Sequence, residues 1–139
     1  MSTLNIIIDI GGGKTYDYAI KYKESFIYCF CKKPLKNLPD NVIIFLNDMS
    51  DYIENKIITL DSLRLHSCNI ININTNNIKK INDILRGAEN TLYSLDPNIY
   101  INTYDDETIK LLDIAGYIIS KKDEEYMASK LPSKSNLQE

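Results

Sequence analysis

The stretch "NIIIDIGGGKT", residues 5–15, constrains the chain more than any other. Residues 5–10 are almost wholly apolar, the pattern of a central strand covered on both faces. The run admits one charge, Asp9, and a buried carboxyl group is costly unless it meets a cleft or a partner. Gly11, Gly12 and Gly13 then supply the positive-φ freedom of a tight turn. A Walker A loop is rejected, because GxxxxGK[ST] would need glycine at position 8, where Ile8 stands, and because the element expected after Thr15 is a strand where that loop demands a helix. Three readings stay open: a phosphate cradle, the first corner of a metal-dependent nuclease, or a glycine turn between two strands.

The following segments, "TYDYAIKY" and "SFIYCFC", are rich in aromatic and branched residues and joined by "KES". With residues 5–10 they predict a three-stranded antiparallel meander. "KKPLKNLP" is punctuation. Asp40 or Asn41 can then cap a helix, since Val42, Ile43, Phe45, Leu46, Met49, Tyr52 and Ile53 follow a helical period, although the branched start also suits a strand at 42–46. "KIITLDSLRLHSC" is ambiguous. "NIININT" alternates like a half-exposed strand, and Asn77 can cap a helix carrying Ile78, Ile81, Ile84, Leu85, Ala88 and Leu92. "IYINT" gives another strand. "DDETIKLLDIAG" reads as a helix with acids in its first turn and Gly116 at its end. "KKDEEYMASKL" is expected to be a last short helix, capped by Asp123. The two strand–helix units favour a parallel pair with a right-handed crossover.

The order βββαβαβα predicts one α/β domain over residues 1–131, a mixed five-stranded sheet with helices on its faces, and a frayed tail over 132–139. The length of 139 residues suits a single core. The net charge of −3 is unevenly spread. Residues 1–36 carry six lysines against Asp9, Asp17 and Glu24, and the remainder carries ten basic and sixteen acidic groups. A basic first third can touch phosphate, but the whole chain is no basic nucleic-acid footprint. Cys29, Cys31 and Cys68 have neither zinc spacing nor an even count, and read as buried thiols. The start lacks the pattern of a secretory signal, and no apolar run has membrane-spanning length, so a cytoplasmic chain with no membrane partner is expected.

On these elements the chain resembles the ribonuclease-H-like superfamily, over residues 5 to about 131. "IIIDIGGGKTYDYAI" looks like the hairpin that opens those folds. Its "DIGGG" with a following Thr is also similar to a phosphate-binding loop of the actin-like ATPases, where backbone N–H groups hold phosphate oxygens. By that likeness Gly11, Gly12, Gly13, Lys14 and Thr15 would bind a nucleotide or phosphate. Because the chain is one lobe long, such a ligand would sit at a dimer interface. "IYINTYDDETIKLLDIAG…KKDEEYMASKL" resembles the end of resolvases of the YqgF and RuvC type. By that resemblance Asp9, Glu107 and Asp123 would be catalytic, and Asp9, Asp105, Glu107 and Asp123 would hold Mg²⁺ or Mn²⁺. The Asp123 position could equally be filled by Glu124.

The chemistry asks for such a set. Phosphodiester hydrolysis at neutral pH needs an activated water and a stabilised leaving oxygen, which two divalent ions about 4 Å apart supply when several carboxylates converge. The resemblance therefore implies a nuclease acting on structured nucleic acid, with Lys21 and Lys23 meeting phosphate. This chain departs from the family where Thr108 replaces an arginine and Asn76 replaces an acid; Glu54 lies on a helix of unassigned register. Those departures point to the alternative of a catalytically silent binding or assembly module, paired with itself or with another protein. Residue by residue, first-turn acids suit a helix dipole at 105–107, and Asp123 suits an N-cap. His66 stands without a nucleophile or acid to complete a triad.

Overall fold

The computed structural model describes residues 5–46 and 59–130. Seven strands form one mixed sheet: β1 (Asn5–Ile10), β2 (Ser25–Phe30), β3 (Val42–Phe45), β4 (Ile70–Ile73), β5 (Asn98–Ile101), β6 (Tyr117–Lys122) and β7 (Glu125–Lys130). Their spatial order is β3-β2-β1-β4-β5-β7-β6. The first five run parallel, while β7 lies antiparallel to both β5 and β6.

Where an antiparallel meander was expected, β1 and β2 are parallel, with Asp9 opposite Cys29, and "TYDYAIK" is a helix, α1 (Thr15–Lys21). Parallel neighbours need a crossover, and the residues supply one. Thr15, Tyr18, Ala19 and Tyr22 recur at helical spacing, with Thr15 and Ala19 buried and Tyr18 and Tyr22 packed on the same cluster. The aromatic content of this segment suggested strand, but the periodicity was the stronger signal.

Val42–Phe45 is strand rather than the start of a helix, and the rest of that expected helix, 47–53, lies outside the described residues, as does Glu54. The Asn41 side-chain amide donates to the carbonyls of Ser25, Ala19 and Tyr22 at 2.9–3.3 Å, tying the approach to β3 onto the α1–β2 turn.

The expected helical run from Ile78 is two helices, α2 (Ile78–Arg86) and α3 (Glu89–Leu95), parted at Gly87. Asn77 caps α2 as expected, accepting from the Lys80 N–H at 3.2 Å. Asp61, in a 3-10 turn at Asp61–Leu63, accepts from the Asn90 and Thr91 N–H groups and the Thr91 hydroxyl, closing the start of α3. Helix α4 (Asp106–Ile114) follows β5, and Gly116 leaves it at φ +88°.

The expected last helix is instead the second strand of a hairpin. Asp123 sits at φ +58° in the turn between β6 and β7, and is no N-cap. A two-residue Asp–Glu turn suits tight antiparallel pairing, because Asp tolerates the left-handed region. The tail 132–139 lies outside the described residues.

Alternation along the strands separates two apolar layers. Ile8, Ile10, Ile71, Ile73, Ile99 and Ile101 face Ile81, Ile84, Leu85, Leu92 and Leu112 of α2–α4. Ile7, Ile27 and Ile70 face Ala19 of α1. Each fully buried Ile or Leu contributes about 1.5–3 kcal/mol, so the helix-rich face dominates stability. Residues 70–73 are buried throughout, so β4 is a central strand rather than a half-exposed one. At the amino edge the buried Tyr117 hydroxyl donates to the Pro97 carbonyl at 2.7 Å, and Lys130 pairs with Asp96. No helix among the described residues is long and apolar enough to cross a membrane.

Candidate ligand crevice at the carboxyl edge

The strand order reverses between β1 and β4. From β1 the chain builds outward to β2 and β3, then returns to place β4 on the other side. In open parallel sheets the loops leaving two such strands diverge, opening a crevice beyond their carboxyl ends. Here those loops are 11–14 and 74–77.

Asp9 is fully buried and holds the first loop from beneath. Its Oδ2 accepts from the Thr15 hydroxyl at 2.6 Å and the Lys14 N–H at 3.0 Å, and its Oδ1 accepts from the Asn72 amide at 2.8 Å. The pleat puts Asp9 and the opposed Asn72 side by side on the α1 face. This resolves the cost of a charge-bearing residue in an apolar strand.

Gly11 and Gly12 take φ +101° and +80°. A Cβ on Gly11 would lie 2.9 Å from the Asn74 carbonyl oxygen, and one on Gly13 would lie 2.6 Å from the Asn74 side-chain nitrogen. The loop therefore lies directly against the end of β4. The Gly11 N–H is used by the Phe30 carbonyl, whereas among the described residues no hydrogen bond engages the N–H of Gly12 or Gly13.

Asn74 is exposed, and its Oδ1 accepts from the Asn102 amide at the end of β5, 3.1 Å away. Beyond it, Lys14 pairs with Glu125 at 2.6 Å and lies over the Tyr100 ring. Lys14, Asn102, Asp123, Glu124 and Glu125 line a shallow groove of about 670 Å³. On the other side, Gly12 packs toward Cys31 and Leu35 of the loop after β2. The carboxyl edge thus runs from the lysines of "CKKPLK", over the glycines and two asparagines, to the acidic hairpin turn.

The acids named for a metal site do not form one group. Asp9 is spent on the loop. Asp105 caps α4, accepting from the Thr108 N–H at 3.0 Å and the Asn82 amide at 3.2 Å, and these bonds, the Thr108 N–H foremost, hold its carboxyl below the usual carboxylate range. Glu107 pairs with Arg86 at 3.0 Å, and Arg86 also holds Asp83. Asp123 is in the groove beside Glu124, across from Lys14. Among the described residues no three His, Cys, Asp or Glu side chains are grouped to hold a metal ion.

Lys21 and Lys23 end α1 and begin the turn to β2, at the edge opposite the glycines, so they cannot meet a ligand held there. Asn76 is exposed before α2, and His66 is exposed in the connection to β4. Burial pushes the Cys29 thiol up to about 12, which leaves it a packing group rather than an activated nucleophile. Asn72, Asn74 and Asn102 were not singled out by the sequence. The only signal was an asparagine recurring within or just after two apolar strands.

No protein-family model matches the chain, and no curated protein matches it.

Proposed function

We propose that the protein binds a nucleotide or nucleotide-type cofactor in the carboxyl-edge crevice, with its phosphate or equivalent anionic group against Gly11–Thr15. One observation carries this reading: the glycine loop stands at the place where the strand order reverses, with Asp9 fixing its backbone and the N–H groups of Gly12 and Gly13 left over. The second wall comes from Asn74, Asn102 and the β6–β7 turn of the same chain, so the reading needs no dimer.

The metal-dependent nuclease reading, with its ribonuclease-H-like frame, has less support. It rested on a meander and on convergent acids, and the described residues supply neither. A binding module acting through its ligand, rather than through a nucleophile of its own, accords with the buried thiols and the capped and paired acids.

The test is an amide NMR titration with ATP, ADP, 5′-AMP and NAD⁺, alongside thermal melts. Binding should shift the Gly12 and Gly13 amides first and raise the melting temperature with ligand concentration. Shifts confined to Asp123–Glu125 or to α2–α4, with no movement in residues 11–15, would remove the assignment.

A further inference from the structure

Resting on that crevice reading, we infer that the ligand carries a phosphomonoester on its ribose, held by Lys33 and Lys36 beyond the end of β2. In dinucleotide-binding sheets the residue about 20 positions beyond the glycine loop, at the end of β2, decides how the ribose is held. A carboxylate there accepts from a free ribose diol, and a basic group there accommodates a ribose phosphate. In this chain that place is "CKKPLK", residues 31–36, with three lysines and no acid before Asp40. Within residues 31–36 a free diol finds no acceptor carboxylate, whereas a dianionic phosphate finds cations.

The segment is fixed beside the loop rather than swinging free. Cys31 is buried and its thiol donates to the Lys33 carbonyl at 3.1 Å, which sets the bend after β2. Cys31 and the methyl end of Leu35 stand 3.3 and 3.5 Å from the position a Cβ on Gly12 would take. The segment that bears Lys33 and Lys36 therefore packs its Cys31 and Leu35 side chains beside the glycine loop. Both lysines are exposed, and neither is ion-paired among the described residues. A four-carbon stem lets either ammonium reach inward over the crevice. At the far end, Lys14 is already paired with Glu125 and the groove is acidic, so a phosphate is favoured at the β2 end and disfavoured at the hairpin end.

Calorimetric titration of the whole chain with 5′-AMP, adenosine 2′,5′-bisphosphate, adenosine 3′,5′-bisphosphate, NAD⁺ and NADP⁺ tests this. At least one ribose-phosphorylated ligand should bind about tenfold or more tighter than its unphosphorylated counterpart at low salt, with the advantage shrinking as salt is raised. The double variant K33E/K36E, altered at two exposed positions, should lose that advantage and keep the affinity for 5′-AMP. Equal affinities in the wild type, or an advantage that survives in K33E/K36E, overturn the inference and leave the crevice standing. No binding by any of the five overturns the crevice reading and this inference with it.

Discussion

Asn72 on β4 donates a 2.8 Å hydrogen bond to Asp9 on β1, and both side chains are buried in the middle of the sheet. The pair joins the two strands that flank the reversal of strand order, beneath the glycine loop. Replacing Asn72 by Leu leaves one oxygen of Asp9 buried without its partner. We expect a loss of about 1–3 kcal/mol in urea unfolding at neutral pH. A change under about 0.5 kcal/mol would mean the pair is not what reconciles Asp9 with the core.

Gly11 and Gly13 should respond differently to alanine, although both lie against Asn74. Gly11 is held at φ +101° with a main-chain oxygen in the way of a Cβ, so Gly11→Ala should cost about 1–3 kcal/mol of stability. At Gly13 the obstacle is the tip of an exposed side chain, which can turn aside. Gly13→Ala should cost less than about 1 kcal/mol yet weaken ligand binding, because it displaces the Asn74 amide from Asn102. Urea melts read the first effect and nucleotide titration reads the second.

Lys14 and Glu125 form a close ion pair, but their side chains are 37% and 26% exposed. A pair so open to solvent contributes at most about 1 kcal/mol. Lys14→Met should therefore leave the denaturation midpoint nearly unchanged while altering ligand affinity and its salt dependence. A large stability loss with unchanged affinity would make Lys14 a structural residue only.

Asp105 carries a pH dependence whose sign is fixed by its cap. Its carboxyl is held low in the folded state, foremost by the Thr108 N–H, so the unfolded chain binds the extra proton more readily. Its contribution is fully present above the ordinary carboxylate pKa of about 4 and is lost as pH falls through the lower folded-state value. In acid titrations of stability, Asp105→Ala should be less stable than wild type at neutral pH and converge with it at low pH. Curves that stay parallel to the acid limit would contradict the cap.

The sequence was legible where apolar periodicity and caps agree. Residues 5–10 as a central strand, Asn77 as a cap and the helix ending before Gly116 all stand in the fold. It was misleading where residue type and spacing disagree. Tyr16, Tyr18 and Tyr22 look like strand residues, but Thr15, Ala19 and Tyr22 lie on one helical face. "KKDEEYMASK" has the charge pattern of a short helix, and pairing of residues 125–130 with both β6 and β5 makes them a strand. The site was half legible. Asp9 and the glycines announce a special corner, but the acids of 105–107 are adjacent in sequence and diverge in space, one to a cap and one to Arg86. Asn74 and Asn102 meet only because β4 and β5 are neighbours, a fact no local pattern carries.

The β6–β7 hairpin is fastened along its length. Its root carries the buried Tyr117–Pro97 hydrogen bond and Lys130 with Asp96, its length is laddered to β5 as far as Tyr126 opposite Ile101, and its tip pairs Glu125 with Lys14 of the glycine loop. The tip is therefore set by the sheet, one residue beyond the last rung to β5. A molecule that draws Lys14 away leaves Glu125 where the sheet holds it, so the crevice keeps an acidic wall whether or not it is filled.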